Sequence, residues 1–331
     1  MISDPILTID DLQVVFHTPL GKVHALRGIS FTVERGQTFG LVGESGCGKT
    51  VTGLSILSLV PSPGKIISGR VIFDGEDLRQ KSEHQMRSIR GGRIAMIFQD
   101  PAAALNPVFT IGQQLMEVMR QHNLAKSEEL HRRSLQMLSD VELPQPKELL
   151  NSYPHHLSGG MQQRVMIAMA LSSNPDLLIA DEPTTALDVT IQAQILELLA
   201  KLKQERNISI ILITHNMGIV AETCQKVAVL YAGRIVEQAE VRDIFQHPYH
   251  PYTQGLLSAL PSPGSRGNDL KDIPGTVPSG LNPISGCAFA SRCEYVMNVC
   301  WKEHPPFIHH NREHRTACYL YSDQKANMEI S

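Results

Sequence analysis

Four short runs of almost continuous hydrophobic residues stand out along the chain. They are TFGLVGES (38–45), RIAMIFQD (93–100), DLLIADEP (176–183) and ISIILITHN (208–216). Each run leads into a turn or a helix-like stretch. Unbroken hydrophobicity over so few residues is typical of strands in a parallel sheet that helices cover on both faces. These runs therefore predict the core of an α/β fold.

Three earlier segments alternate hydrophobic and polar residues more regularly. They are LTIDDLQVVF (7–16), GISFTVERG (28–36) and GRVIFDGEDL (69–78), and two of them run into a glycine turn. Alternation with period two and glycine at a turn is typical of antiparallel strands with one solvated face. We expect an antiparallel β subdomain beside the parallel core.

The strand pattern stops from about residue 110 to 150. IGQQLMEVMRQHN (111–123) and SEELHRRSLQMLSDVEL (127–143) place apolar residues at helical spacing. Proline and glycine then become dense between residues 248 and 306. We predict a nucleotide-binding domain over 1–260, with a helical subdomain at about 100–165, and an irregular extension over 261–331.

Composition excludes several classes of protein. The 331 residues are 42% hydrophobic and 19% charged, and the net charge of −3 gives no electrostatic reason to expect a nucleic acid partner. The first residues show no secretory signal, and the longest apolar run, ISIILIT (208–214), is far below the ~18 residues of a membrane span. We expect a cytosolic chain whose membrane association comes through a partner.

One motif predicts a phosphate-binding loop. GESGCGKT (43–50) matches G-x-x-x-x-G-K-[ST] without a mismatch and follows a predicted strand. Its glycines let backbone N–H groups turn toward phosphate oxygens, and the following helix adds its positive end. Lys49 is expected to reach the β- and γ-phosphates, and Thr50 to offer its hydroxyl to Mg²⁺. The candidate nucleotide contacts are Gly43, Glu44, Ser45, Gly46, Cys47, Gly48, Lys49 and Thr50.

The run LLIADE (177–182) supplies the second half of such a site. It is an apolar strand that ends in two carboxylates. We expect Asp181 to hold Mg²⁺ through its water shell, and Glu182 to orient and polarise the attacking water. Buried strands often end in solvated acidic residues, so this pattern alone does not indicate a nucleotide site. It does so here because it follows a complete phosphate loop. Together the two motifs predict binding of ATP or GTP.

A third motif places the chain in a family. LSGGMQQR (157–164) precedes the second carboxylate strand, and its serine and glycines at a helix start form another anion cradle. With this motif the chain resembles the ATP-binding subunits of ABC transporters. In that family two subunits face head to tail, and each signature motif caps the ATP held by the other. The resemblance assigns this role to Ser158, Gly159, Gly160 and Gln162.

The same resemblance gives roles to single residues elsewhere. It implies that Gln99 senses Mg²⁺ and water and links to the transporter, and that Asp188 belongs to the loop TTALD (184–188) at the dimer interface. It implies that His215 contacts the γ-phosphate. Phe16 stands where the family often places an aromatic ring against adenine, although it could equally be a core residue of its strand.

Two stretches are similar to one branch of the family. FQDPAAALNPVFTIGQQL (98–115) and HPYHPYTQGLLSALPSP (247–263) resemble the importers of dipeptides, oligopeptides and nickel, and the dipeptide branch above all. That resemblance implies ATP-driven import at the cytoplasmic face of a bacterial inner membrane. It implies a paralogous second ATPase, two permease subunits and an extracytoplasmic binding protein as partners. Met116, Val118 and Met119 are candidates for the permease contact, with packing inside the helical insertion as the alternative.

Two other classes of protein carry some of these motifs. Soluble ABC ATPases that act on DNA or ribosomes usually carry coiled-coil inserts or two cassettes, whereas this chain has one cassette and no heptad stretch. A P-loop kinase would not need LSGGMQQR (157–164). We therefore expect a transport ATPase, and the nature of the cargo rests on family likeness alone.

Four of the six cysteines lie in the last fifty residues. They are Cys287, Cys293, Cys300 and Cys318. Disulfides conflict with a cytosolic location, and zinc sites favour closer C-x₂₋₄-C spacing. A [4Fe–4S] cluster tolerates varied spacing, and the peptide-transporter branch includes members with such a cluster in this arrangement. The prediction is a [4Fe–4S] site, with zinc or unligated thiols as alternatives.

Overall fold

The computed structural model describes residues 4–122, 124, 126–185, 187–260, 273–281 and 284–322. Its strands, in chain order, are β1 (Leu7–Thr18), β2 (Gly21–Val33), β3 (Thr38–Val42), β4 (Gly64–Phe73), β5 (Glu76–Asp77), β6 (Ile94–Ile97), β7 (Leu177–Asp181), β8 (Ser209–Thr214), β9 (Lys226–Tyr231), β10 (Arg234–Glu240), β11 (Phe307–His309) and β12 (Arg315–Ala317). The four hydrophobic runs thus form β3, β6, β7 and β8, as predicted.

Two of the helices, Ile111–Gln121 and Ser127–Asp140, lie in the segments where helical spacing was found. In chain order the helices are α1 (Lys49–Ile56), α2 (Glu83–Ile89), α3 (Pro101–Ala104), α4 (Ile111–Gln121), α5 (Ser127–Asp140), α6 (Pro146–Leu149), α7 (Gly159–Leu171), α8 (Val189–Arg206), α9 (Met217–Thr223), α10 (Val241–Gln246) and α11 (Pro251–Ser258). Short 3₁₀ turns lie at Leu78–Gln80, Pro154–His156, Ala290–Arg292 and Asn298–Trp301. Helices α4, α5 and α6 lie between residues 110 and 150, where the strand pattern stops.

The chain forms two compact units. Within the described residues, the first consists of 4–6, Val33–Gln37 and Asp77–Leu212, and the second of Leu7–Thr32, Thr38–Glu76 and the chain from Ile213 onward. The first unit holds β6 and β7, which pair in parallel, and the helices α2 to α8. Every residue of both strands is buried, as expected for a sheet with covered faces.

The second unit holds the antiparallel strands and the phosphate loop. β1 pairs antiparallel with β4, from Leu7 opposite Phe73 to Phe16 opposite Gly64. In its other sheet β3 pairs in parallel with β9, and β9, β10, β12 and β11 follow as antiparallel neighbours. The predicted antiparallel strands are confirmed, and the parallel core is mixed with antiparallel partners.

The described part of the C-terminal segment is tied to this second sheet. Glu237 and Gln238 of β10 pair with Thr316 and Arg315 of β12. The carboxylate of Glu237, fully buried, also accepts hydrogen bonds from the backbone N–H of Tyr249 and His250. Outside β11, β12 and two 3₁₀ turns the segment is irregular, as its proline and glycine content indicates. Residues 261–272, 282–283 and 323–331 of the predicted extension lie outside the described residues.

Candidate functional site

The phosphate loop lies between β3 and α1, where the sequence places it. Two of its glycines are required by geometry. Gly43 has φ 154°, and a Cβ on it would collide with the carbonyl oxygen of Leu230. Gly48, the N-cap of α1 at φ 110°, would place a Cβ 2.7 Å from the carbonyl oxygen of Ala25. Any other residue type would have to displace backbone, so the motif's glycines fix the path of the loop.

Lys49 is the buried cation of this loop. Its Nζ donates hydrogen bonds to the carbonyl oxygens of Gly43 at 2.8 Å and Glu44 at 2.9 Å, and the residue is 5% exposed. The ammonium is thus held by the loop it belongs to. Three residues present the open side of the loop to solvent: Ser45, Gly46 and Thr50.

Cys47 has a structural place in the loop. Its carbonyl oxygen accepts the backbone N–H of Gly233 at 2.9 Å, and its side chain is buried. Burial raises the pKa of its thiol, so the group stays protonated and apolar at neutral pH. The Cys47 side chain therefore packs in the loop as a small apolar group.

In the first unit, the end of β7 brings three predicted groups together. Asp181 is the buried last residue of the strand, and Glu182 follows it with φ 46°. The Glu182 carboxylate oxygen Oε2 accepts a hydrogen bond from Thr185 Oγ1 at 2.7 Å and one from Gln99 Nε2 at 3.3 Å. Two of the three predicted catalytic side chains, Gln99 and Glu182, are therefore in direct contact. The loop motif gives no role to Thr185, so its contact with Glu182 is not predictable from the sequence.

The signature motif begins α7. Ser158 is the N-cap, its Oγ accepting the backbone N–H of Met161 at 3.3 Å, and Ser158 and Gly159 are exposed. Gln162 donates from Nε2 to the carbonyl oxygens of Pro154 at 2.9 Å and Leu157 at 3.3 Å. The motif thus presents an open helix start, with Gln162 bracing the turn before it.

The loop that carries Asp188 packs beside this helix start. Asp188 caps α8 by accepting the N–H of Ile191 at 2.9 Å. A Cβ on Gly160 would lie 2.9 Å from Cγ2 of Ile191, so a larger residue there would push the two helix starts apart. Residue 186 of the loop lies outside the described residues.

The remaining predicted residues lie in the second unit. His215 is exposed directly after β8. Phe16, near the end of β1, is half-buried, and its ring covers Gly64, where a Cβ would come within 2.6 Å of Cε1. The ring therefore packs on its own sheet and still offers surface to solvent.

Two residues that the motifs did not reveal contact the phosphate loop. Tyr252 Oη accepts the backbone N–H of Glu44 at 2.9 Å. Arg292 Nη1 lies 3.0 Å from both carboxylate oxygens of Glu44. Neither belongs to a recognisable nucleotide motif, although both lie close to stretches that stood out for proline or cysteine content.

The four C-terminal cysteines line one small cavity of about 20 Å³. Burial raises the pKa of Cys287 to about 11 and that of Cys318 to about 12. Within the described ranges, however, no group of three or more His, Cys, Asp or Glu side chains is arranged to hold a metal ion. This arrangement does not support the predicted metal site, although all four thiols line the same cavity.

Among the residues that the structure describes, none of the helices combines the length and the apolar character needed to cross a bilayer.

The chain has the elements of a P-loop nucleotide hydrolase: a buried strand, a glycine loop with its lysine and a second strand that ends in carboxylates. Comparison with known families shows which kind of P-loop protein it is. Residues 26–185 match the family "ABC transporter", and residues 236–300 match "Oligopeptide/dipeptide transporter, C-terminal region". The chain belongs to the ATP-binding subunits of ABC transporters, and it is an ATPase.

Named relatives match over nearly the whole chain. A protein of Sinorhizobium fredii named "Probable peptide ABC transporter ATP-binding protein y4tR" is 50% identical over 96% of this chain and 95% of its own length. The "Dipeptide transport ATP-binding protein DppD" of Bacillus subtilis is 48% identical over 99% of this chain and 98% of its own. The "Oligopeptide transport ATP-binding protein OppD" of the same organism is 46% identical over 98% and 91%.

Solved structures of ATP-binding cassettes share the fold. One is a dimeric cassette in a post-hydrolysis state bound to ADP and Pi, with a TM-score of 0.64 and 26% identity over 71% of this chain and 99% of that one. Another is cbiO1 from Clostridium perfringens, with a TM-score of 0.62 and 29% identity over 74% of this chain and 92% of that one. They confirm the predicted α/β cassette fold.

Proposed function

We propose that this chain hydrolyses ATP to power the uptake of dipeptides through a bacterial membrane importer. The hydrogen bonds that Glu182 accepts from Gln99 and Thr185 support ATP hydrolysis by this chain. They hold the Glu182 carboxylate in place at the end of β7, where it can activate water. The match of residues 236–300 to the oligopeptide and dipeptide transporter region supports the peptide cargo.

The proposed mechanism gives each predicted site residue a chemical role. Backbone N–H groups of residues 43–50 and the ammonium of Lys49 bind the phosphates, which bear the charge that hydrolysis redistributes. Bound Mg²⁺ would neutralise charge on the β- and γ-phosphates; the Thr50 hydroxyl and the Asp181 carboxylate, both hard oxygen donors, suit it. Glu182 accepts a proton from the attacking water and orients it, with Gln99 beside it. His215 contacts the γ-phosphate, and Phe16 contacts adenine.

Transport requires a dimer in this proposal. The open start of α7 at Ser158, Gly159 and Gly160 caps the ATP of a facing, paralogous ATPase, and Asp188 lies at that interface. ATP binding closes the dimer, and hydrolysis reopens it. The exposed side of Ser158 and Gly159 supports this role, because both would be free to meet a ligand held by another chain.

A groove in the first unit is the proposed contact with the two permease subunits. It has a volume of about 450 Å³, and Phe109, Val118 and Met169 give it an apolar lining. Val108 is 70% exposed beside it and Phe109 48%. Met119 is buried and packs inside the helical region instead, so the packing alternative holds for that residue. Membrane association at the cytoplasmic face would follow from this contact.

Uptake assays in cells lacking this chain test the cargo. We expect loss of labelled dipeptide uptake on deletion, and recovery when the gene is restored. An extracytoplasmic binding protein would deliver that cargo to the permease. Loss of nickel uptake or of longer peptides alone would assign the chain to those importers. Binding to DNA or ribosomes in a salt-dependent way, with uptake unchanged, would instead support a soluble ABC ATPase.

We also propose a [4Fe–4S] cluster at the four C-terminal cysteines, with zinc as the alternative. The support is their common cavity and the number of thiols, which equals the four ligands that such a cluster needs.

Metal analysis of anaerobically purified protein tests this site. We expect about four irons and four acid-labile sulfides per chain, in keeping with four-cysteine ligation. Cys293→Ser should remove them, whereas Cys224→Ala, a buried cysteine in the core, should retain them. One zinc with no iron would identify a zinc site. Neither metal would contradict the proposal and leave the cysteines as thiols.

A further inference from the structure

The C-terminal segment reaches the phosphate loop through a cluster of aromatic rings. The rings of Tyr231, Tyr252 and Phe289 lie 4.6 to 5.4 Å apart, centroid to centroid, in tilted and edge-on pairs. The Arg292 guanidinium lies 5.8 Å from the Tyr231 ring centroid and 6.0 Å from that of Phe289. Aromatic pairs and cation–π contacts of this kind hold side chains in fixed orientations. The guanidinium beside Glu44 is therefore part of a packed cluster.

Arg292 uses its donors on both sides. Nη1 contacts both Glu44 carboxylate oxygens at 3.0 Å, while Nη2 donates to the carbonyl oxygen of Ile273 and Nε to that of Pro274, each at 2.9 Å. The Arg292 side chain is 4% exposed, against 30% for Glu44. A guanidinium that already donates to two carbonyl oxygens leaves its third partner, the carboxylate, little freedom to move. The direction of support thus runs from the C-terminal segment to the loop.

Glu44 is fixed through all of its polar groups. Its N–H donates to Tyr252 Oη at 2.9 Å, its carboxylate pairs with Arg292, and its carbonyl oxygen accepts from Lys49 Nζ at 2.9 Å. Two of these three contacts come from residues beyond 250. Because Lys49 shares Glu44 as a partner, a shift of Glu44 would move the acceptor that positions the ammonium.

The pair also solves an electrostatic problem. Glu44 places a negative carboxylate in a loop whose proposed ligand is a polyphosphate anion, and like charges repel strongly where water is excluded. Arg292 compensates this carboxylate by a mostly buried ion pair. Removal of one partner from such a pair exposes the charge of the other.

We infer that Arg292 is a positioning residue of the phosphate loop, through which the C-terminal segment sets the affinity for ATP. Arg292 does not touch the reacting atoms in this account; it orients Glu44 and neutralises its charge. The inference rests on the proposed role of residues 43–50 in ATP binding. It also gives the C-terminal segment a function at the nucleotide site that is separate from any metal at its cysteines.

Titration of the full-length chain with a fluorescent ATP analogue tests the inference. We expect Arg292→Gln to raise the Kd about ten-fold, the size of coupling typical for contacting charged groups. A second substitution, Glu44→Gln, removes the uncompensated charge and should bring the Kd back to within about three-fold of wild type. A merely structural role would not give this recovery, because Glu44→Gln restores none of the lost contacts.

Glu313→Gln is the matched control. Glu313 also ties the C-terminal segment to the second unit, through Lys226, without contacting the phosphate loop. Its substitution should leave the Kd unchanged. Unchanged affinity in Arg292→Gln, or no recovery in the double variant, would overturn the inference.

Two further variants keep the test decisive. If Arg292→Gln does not fold, Arg292→Lys replaces it in the test. Lysine retains the positive charge but loses the forked hydrogen bonds, so we expect a Kd for ATP about three-fold higher than that of wild type. An unchanged Kd in Arg292→Lys would overturn the inference. Lys49→Ala tests the proposed function itself. If the wild-type chain does not bind ATP, or if Lys49→Ala binds it normally, the proposed ATP site is wrong. If Lys49→Ala loses ATP binding while Arg292→Gln binds normally, the ATP site stands and only the inference about Arg292 is wrong.

Discussion

Replacement of Glu182 with Gln is expected to lower kcat for ATP hydrolysis by about a hundred- to ten-thousand-fold, the usual contribution of a positioned general base. Gln keeps the size of the side chain and can still accept the hydrogen bond from Thr185, so the loop should keep its shape. It cannot take a proton from water. ATP affinity should therefore stay within about two-fold of wild type, since only the chemical step is affected.

A steady-state phosphate-release assay, paired with an ATP titration, measures this effect. Glu197→Gln is the matched control, because Glu197 is an exposed carboxylate on α8 in the same unit. Its kcat should equal that of wild type. Retention of more than about a tenth of the activity in Glu182→Gln, with ATP bound normally, would show that another group activates the water.

Substitution of Lys49 with Ala should raise the Kd for ATP about ten- to a hundred-fold, the range expected for the loss of hydrogen bonds from a charged group. The reason is that the ammonium is already buried and oriented by the carbonyl oxygens of Gly43 and Glu44, so little entropy is lost when it meets a phosphate.

The same fluorescence titration gives the Kd for this variant. Lys201→Ala is the control, since Lys201 pairs with Glu142 on the first unit's surface and should not alter ATP binding. Thermal unfolding should be followed in parallel, because Lys49 also satisfies two loop carbonyls. A folded Lys49→Ala protein with wild-type affinity would contradict the proposed phosphate site.

Local patterns predicted most of the fold and the glycine loop of residues 43–50. The parallel strands were found because their residues are buried on both faces, which leaves continuous hydrophobic runs such as residues 177–181. The phosphate loop was predicted because Gly43 and Gly48 need backbone conformations that favour glycine. The two positions lie within one short stretch of sequence, so the motif can be recognised locally. Such features depend on neighbours along the chain.

The contacts that escaped prediction join distant parts of the chain. Arg292 and Glu44 are 248 positions apart, and Tyr252 and Glu44 are 208 apart. β11 and β12 have three residues each, too few for an alternating pattern to be recognised. The cysteine spacing led to the prediction of a metal site, whereas the structure shows only that the four thiols line one cavity. Ligand geometry depends on where each Sγ points, which spacing along the chain does not determine.

Uptake of a labelled dipeptide by reconstituted right-side-out vesicles tests the central claim most directly, when they contain the whole transporter with this chain and ATP on the inside and the binding protein outside. With ATP on the side of this chain, we predict accumulation in wild type and a rate at the no-ATP background in the Glu182→Gln variant. Accumulation that continues in this variant, or that does not depend on ATP in wild type, would contradict the account.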